Sequence, residues 1–461
     1  MTENVKKLPQ RDQVPAELKW DVASVFANDD AWEAAFAEAE ALPEQAAAYA
    51  GTLGQSPEHL AEYLELRCTM LQKLDKLFLY AQMKRDEDNA NHLYQGLADR
   101  AQNLGVRVSA ALAFEAPELL SIDENKLECW LMRPELAVYQ RFFAELLRQK
   151  PHIRTNDEEE MLALAGEVCA APRGIFGMFN NADLHFPTVR DETGALVEIT
   201  HGNYTHLMES PSRQVREETF KGLYATYAAW QNSLAAMLAG SVKKDVFAAK
   251  VRRYDSALAA ALFAEDIPPA VYDNLLAGVR AHLPLFYRYL QLRRQALGLD
   301  ELHMYDIYTP LAQERPREIS YPEACQLVLQ ALQPLGEEYV SIASRAFSEG
   351  WVDVAENQGK TSGAYSSGVY GTKPFILLNW QGNLNSVFTL AHELGHSMHS
   401  WFSNTKQPYI YADYEIFVAE VASTVNESLL LRYLLNRETD PAQRLLLVNH
   451  YLDDFRGTVF R

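Results

Sequence analysis

Two histidines four residues apart, His392 and His396, bracket Glu393 in the segment Ser386-Val-Phe-Thr-Leu-Ala-His-Glu-Leu-Gly-His-Ser-Met-His399. On a helix, residues four apart lie on one face with a rise of about 6 Å, so two imidazoles can converge on one ion. Glu393 lies next to that face and can reach a metal-activated water as general base. The chemistry such a set supports is metal-assisted hydrolysis. Composition alone, with Asp allowed in place of Glu, produces this HExxH spacing about 0.04 times in a chain of this makeup. The competing reading of the five letters is a pair of structural histidines on a buried helix.

A third ligand separates the two readings. His399 follows His392 by seven residues, a rise of about 10.5 Å, too long for all three histidines to reach one tetrahedral ion. It reads either as a group behind the ligands or facing substrate, or as a packed core histidine. The spacing HExxHxxGxxH of three-histidine sites is absent. The downstream stretch Tyr414 to Glu427 offers Glu415, Glu420 and Glu427. Glu420 lies among apolar and small residues, where an unpaired charge is costly and a divalent cation would compensate it; a salt-bridged structural acid is the alternative. Glu427, two turns on, is too distant to ligate the same ion and could hydrogen-bond a ligand instead. Glu415 faces elsewhere and reads as solvated.

These side chains need elements to hold them. Val387, Phe388, Leu390, Ala391 and Leu394 supply an apolar body for a helix carrying HExxH. Phe375-Ile-Leu-Leu-Asn379 reads as a short strand after a Gly- and Ser-rich run. A peptide could add alongside that strand through backbone bonds, leaving side-chain choice loose. Gly359, Gly363, Gly368 and Gly371 suggest a loop bordering a cleft, with Tyr365 and Tyr370 as substrate contacts or as ordinary loop packing. Gly359-Lys360-Thr361 imitates the end of a phosphate-binding loop, but that motif requires Gly where Val354 stands.

The rest of the chain reads as mainly helical, because Ala, Leu, Glu and Gln dominate and turn-formers are scarce. Ser56 before Pro57 marks one helix start, and Pro441 opens another. Ala31 to Ala50 is low in complexity but carries Trp32, Phe36 and Tyr49 as packing anchors. Residues 185–189 and 196–200, joined through Asp191-Glu-Thr-Gly194, predict a β-hairpin.

Composition removes other classes. Hydrophobic residues at 48% and charged residues at 23% exclude general disorder. A net charge of −20 without a basic cluster argues against nucleic acid and against anionic membranes as partners. No apolar run approaches the roughly 20 residues needed to cross a bilayer. Met1 to Pro15 lacks the apolar core of a signal peptide. Cys68, Cys129, Cys169 and Cys325 form no CxxC pair, which fits reduced thiols and a cytoplasmic location.

With HELGHSMHS at His392–Ser400, FILLN at Phe375–Asn379 and FVAEVASTVNE at Phe417–Glu427, the chain resembles the oligoendopeptidase F branch of the thimet-oligopeptidase-like (M3) metallopeptidases. The likeness extends to Lys360-Thr-Ser-Gly-Ala-Tyr-Ser366, Asn181-Ala-Asp183, Trp20-Asp21 and Trp32, and so spans essentially the whole chain. It implies a mainly α, zincin-like peptidase enclosing a deep channel, with a small β-sheet near the HExxH helix. Its substrates would be short unstructured oligopeptides. It also implies one zinc ion per chain on His392, His396 and Glu420, with Glu393 as general base. Phe375, Asn379, Tyr365, Tyr370, His399 and Glu427 are further candidates for substrate binding or ligand support. The expected domains are 1–115, helical; 116–200, a helical connection with the hairpin; and 201–461, catalytic. Family members continue past the point where this sequence stops, Thr458-Val-Phe-Arg461, into a Tyr-rich segment that binds substrate and the oxyanion. The expectation is therefore a catalytic domain incomplete at its C-terminus, with the remainder, as a second chain, a candidate partner. The alternative function is a non-catalytic metal- or peptide-binding remnant.

Overall fold

In a computed structural model, residues 8–201, 203–312 and 318–460 are described. Residues 1–7 of the amino-terminal segment, and the terminal Arg461, lie outside them. The apolar run around HExxH forms the helix Leu384–Lys406, hereafter the motif helix. Asn383 caps it by accepting the Ser386 N–H at 2.9 Å, which satisfies one of the orphan donors of the first turn. Its buried residues include Val387, Phe388, Leu390, Ala391, Leu394, Gly395 and Met398. That set covers most of the circumference, as expected of a helix at the centre of a core.

The helix Ile416–Arg437, the companion helix, presents Ala419, Ser423, Asn426 and Leu430 as a buried stripe. The spacing is that of one helical face. Gly395 is where the two helices touch most closely. A Cβ on it would lie 2.6 Å from Ser423 Cα and 2.7 Å from the Ala422 carbonyl oxygen. The absence of a side chain there permits the close approach. The buried Asn426 amide then donates to the Ala391 carbonyl at 3.1 Å.

A three-stranded sheet lies beside the motif helix. β3 (Val352–Asp353) runs parallel to β5 (Phe375–Leu377), and β4 (Tyr365–Ser367) runs antiparallel to it. The order is β3-β5-β4, so β5 is central. Its residues Phe375, Ile376 and Leu377 are fully buried. The earlier hairpin is β1 (Thr188–Arg190) with β2 (Leu196–Glu198), paired Val189↔Val197. Asp191 closes its turn by accepting from the N–H groups of Thr193 and Ala195 at 2.8 and 3.0 Å.

The chain divides into two compact units, each discontinuous in sequence: Met1–Lys150 with Arg317–Arg437, and Pro151–Pro316 with Glu438–Arg461. The expected boundaries near 115 and 200 both fall inside a unit. The first unit contains the motif and companion helices, the three-stranded sheet and a core in which Trp20, Trp32, Leu77, Tyr80 and Met83 pack with Phe375 and Leu377. Ala31 to Ala50 is packed as foreseen, but as two helices, Asp29–Ala39 and Leu42–Ala47. The second unit contains the hairpin, whose Phe186, Val189 and Ile199 pack on Leu207, Val215 and Leu223. The four cysteines are free thiols. Among the described residues no helix is long and apolar enough to cross a membrane.

Candidate metal centre and active site

The motif helix turns His392 and His396 the same way, and the companion helix brings Glu420 to both. His392 Nε2 lies 3.2 Å from His396 Nε2. Glu420 Oε2 lies 3.4 Å from the first and 3.5 Å from the second. With metal–ligand bonds of about 2.0–2.1 Å, tetrahedral ligands stand roughly 3.3 Å apart. The triangle therefore matches a zinc-sized ion, and these three residues form a group able to hold one.

Protonation favours the same conclusion. Glu427 accepts from His392 Nδ1 at 3.2 Å, which places the ring proton there and leaves Nε2 a lone pair. This contact, opposed by burial, raises the His392 pKa above its ordinary value. For His396, burial and the neighbouring His392 lower the pKa, while the Ala419 carbonyl accepts from the ring. Since Nε2 faces His392, the donor to Ala419 is Nδ1, and Nε2 is again an acceptor. Two lone pairs and a carboxylate oxygen thus point at one spot, an arrangement that a cation relieves.

Glu420 was expected inside an apolar face, and that expectation is corrected. Its side chain is 62% exposed, and the neighbouring Ile416, Phe417 and Val421 are exposed as well. The buried stripe of the companion helix runs through Ala419 and Ser423 instead. What holds the carboxylate is Ser423, whose hydroxyl donates to Glu420 Oε2 at 2.8 Å. Glu420 thus joins the two histidines from an exposed position and not from a buried one.

Glu393, next along the helix from His392, is 8% exposed and close enough to His392, Glu420 and Glu427 to feel their charges. Burial pushes its carboxyl up to about 7, and His392 opposes the rise. The Ser366 backbone N–H in β4 donates to it. Ser366 Oγ also lies 2.8 Å from Ser397 Oγ, one turn beyond Glu393. Neither serine was given a role in the sequence, although Ser397 directly follows HExxH and Ser366 ends the segment Lys360–Ser366.

The remaining candidates separate. Glu427 contacts His392 Nδ1 and is not part of the triangle. His399 stands apart from the ligand triangle and stacks on Tyr414, with ring centroids 3.6 Å apart. Phe375 is wholly buried on the central strand and meets Trp20 edge-on, so it cannot face a substrate. Tyr365 turns inward and donates to Asp86 at 2.7 Å. The Asn379 amide donates to the carbonyls of Thr361 and Gly363, 2.9 Å each, and so ties the glycine loop. Lys360 is buried against Asp353 and three backbone carbonyls, which leaves it no role in binding phosphate. Tyr370 remains at the surface and lines a cavity of about 600 Å³ with Ser366, Ser400, Asn404, Tyr409 and Tyr414. A larger cavity, about 830 Å³, belongs to the second unit and contains none of these residues.

Peptide addition along Phe375–Asn379 is also corrected: β5 has neighbours on both edges. Among the described residues β4 pairs only with β5, so the free edge of the sheet next to Glu393 is β4.

Comparison with known proteins follows the same lines. Residues 206–461 match the model of peptidase family M3, and residues 118–186 match that of oligopeptidase F. The chain is 46% identical to oligopeptidase PepF of Bacillus subtilis, over 99% of its own length and 68% of that protein's. It is 42% identical to the group B oligopeptidase PepB of Streptococcus agalactiae, over 98% and 75%. Among solved structures, oligoendopeptidase F from Enterococcus faecium superposes with a TM-score of 0.69 at 36% identity, covering 94% of this chain and 72% of that one.

Proposed function

The chain belongs to peptidase family M3, and from that premise we propose that it is a zinc-dependent endopeptidase cutting internal bonds of oligopeptides. The observation that supports this most directly is the triangle of His392 Nε2, His396 Nε2 and Glu420 Oε2, with sides of 3.2 to 3.5 Å, beside a buried Glu393. With zinc held on these three residues, the site gains a Lewis acid toward a carbonyl oxygen and a means of acidifying water at neutral pH.

The other steps belong to side chains of this protein. Glu393 takes the proton of the attacking water and returns it to the leaving amine. Its burial excludes bulk water from that exchange. Glu427 fixes the tautomer of His392, and Ser423 fixes the rotamer of Glu420, so the ligands need little rearrangement. The substrate backbone pairs with the outer edge of β4, where specificity for side chains is loose because the contacts are to main chain. Side chains of the peptide then reach the cavity bordered by Tyr370, Ser400 and Asn404.

Elemental analysis combined with a quenched fluorescent peptide tests the assignment. About one zinc per chain is expected, lost together with hydrolysis in His392→Ala. Full hydrolysis by a zinc-free preparation would overturn it.

A further inference from the structure

Glu393 is a flexible side chain whose carboxylate must face one small volume. β4 runs beside it: Ser366 Oγ lies 2.8 Å from Ser397 Oγ, one turn along the motif helix, and the Ser366 backbone N–H donates to the carboxylate, so the placing of β4 bears on the aim of the base. That strand is only three residues long and lies at an edge. Short edge strands are held weakly by their ladder, and something else must fix this one.

Two anchors do. Asp86, near the C-terminal end of the helix Pro57–Glu87, is 2% exposed and grips the segment entering β4 at three points. Its Oδ2 accepts from the Tyr365 hydroxyl at 2.7 Å. Its Oδ1 accepts from the Thr361 hydroxyl at 3.0 Å, and its carbonyl accepts from the Thr361 N–H at 2.9 Å. Beyond Tyr365, the Ser366–Ser397 contact ties the strand to the motif helix one turn from Glu393. The Tyr365 ring is further wedged against Trp20, with centroids 6.3 Å apart. Tyr365 and Ser366 are adjacent, so a shift of the phenol displaces the N–H that Glu393 accepts.

We propose that Asp86 and Tyr365 are positioning residues for peptide hydrolysis, acting through the Ser366 N–H on Glu393; the inference rests on the assignment of Glu393 as general base. A base displaced by about 1 Å costs catalysis rather than binding. Substrate pairing is spread over the backbone of β4 and tolerates a small shift at one residue, whereas proton transfer depends on where one carboxylate sits. The signature is therefore a fall in kcat with KM unchanged.

The test is Tyr365→Phe, which keeps the ring and deletes the bond. The expected result is a kcat lower by about tenfold, equivalent to one hydrogen bond's worth of barrier, with KM within twofold and zinc at one per chain. Tyr80→Phe is the matched control. It deletes a similar phenol–carboxylate bond, Tyr80 to Asp29 at 2.7 Å, in the same core but unconnected to β4, and should leave kcat within twofold. Equal losses in both variants would show general loosening and overturn the proposal, as would unchanged kcat, or a raised KM alone, in Tyr365→Phe. If that variant does not fold, Ser397→Ala removes the second anchor and carries the same expectation and the same refuting results. Glu393→Gln in the series separates the two levels. Inactive Glu393→Gln beside fully active Tyr365→Phe overturns the positioning role alone, and active Glu393→Gln overturns the base on which it rests.

Discussion

Replacing Gly395 by Ala tests whether the metal centre depends on how closely two helices approach. In an exposed helix interior this exchange stabilises by about 1 kcal/mol, because Ala loses less backbone entropy than Gly. Here the new Cβ would sit 2.6 Å from Ser423 Cα, 2.7 Å from the Ala422 oxygen and 2.8 Å from Ser423 N. All three are backbone atoms, so relief requires the companion helix to retreat by roughly 0.6–0.8 Å against ordinary contact distances. Overpacking of this kind costs about 1–3 kcal/mol. The Asn426–Ala391 bond, 3.1 Å at present, would stretch beyond hydrogen-bonding range and add about 1 kcal/mol. Set against the ~1 kcal/mol gained in backbone entropy, the net expectation is a destabilisation of about 1–3 kcal/mol, seen as a melting temperature lower by roughly 2–5 °C. Glu420 moves with its helix, so zinc affinity should fall at least about tenfold. Gly105→Ala, in the helix His92–Ala111 with nothing within 4 Å of the added carbon, should instead raise the melting temperature. Circular dichroism melts and competitive chelator titration read both effects. A Gly395→Ala protein that melts at or above the wild-type temperature and keeps its zinc affinity would refute the close-approach reasoning.

Glu427→Ala should weaken zinc binding by about 10–100-fold in a chelator competition, since His392 loses the acceptor that fixes its tautomer; equal affinity would contradict that role. Acid should weaken the second unit through Asp306. Burial works against its ionised form, but bonds from Arg213, the His303 N–H and Arg216 prevail and hold its pKa below the usual 3.8. A depressed carboxylate pKa stabilises the fold above the unfolded value and loses that contribution as pH falls through the folded one. The stability gap between wild type and Asp306→Asn in urea titrations should therefore narrow below about pH 4. A gap that stays constant from pH 6 to pH 3 would show that the charge of Asp306 contributes nothing.

The legible part of this protein was what periodicity and ligand spacing dictate. Four-residue spacing put His392 and His396 on one face, and Glu427, two turns beyond Glu420, lies against His392 Nδ1. The hairpin was readable because Asp191 and Gly194 encode its turn between two apolar runs. Glu420 shows the limit. Apolar neighbours suggested burial, yet in a helix the residues adjacent in sequence point in different directions, and Ile416, Phe417 and Val421 are on the exposed side. Phe375–Asn379 reads as a strand and Phe375–Leu377 of it forms one, but its place at the centre of the sheet depends on β3 and β4, partners that no local pattern specifies. Asp86 was invisible for the same reason. It meets Tyr365 across 279 positions of sequence, and nothing near it marks it as different from the acids around it. The two discontinuous units follow from such long-range pairings and not from boundaries in composition.

Hydrolysis of a quenched fluorescent peptide by Glu393→Gln, with zinc measured on the same sample, tests the central claim most directly. Gln is close in size to Glu and can still accept from the Ser366 N–H, but it cannot take a proton from water. The expected result is about one zinc per chain, as in the wild type, with kcat reduced by at least about 10²-fold. Hydrolysis at the wild-type rate by the zinc-loaded variant would contradict the account.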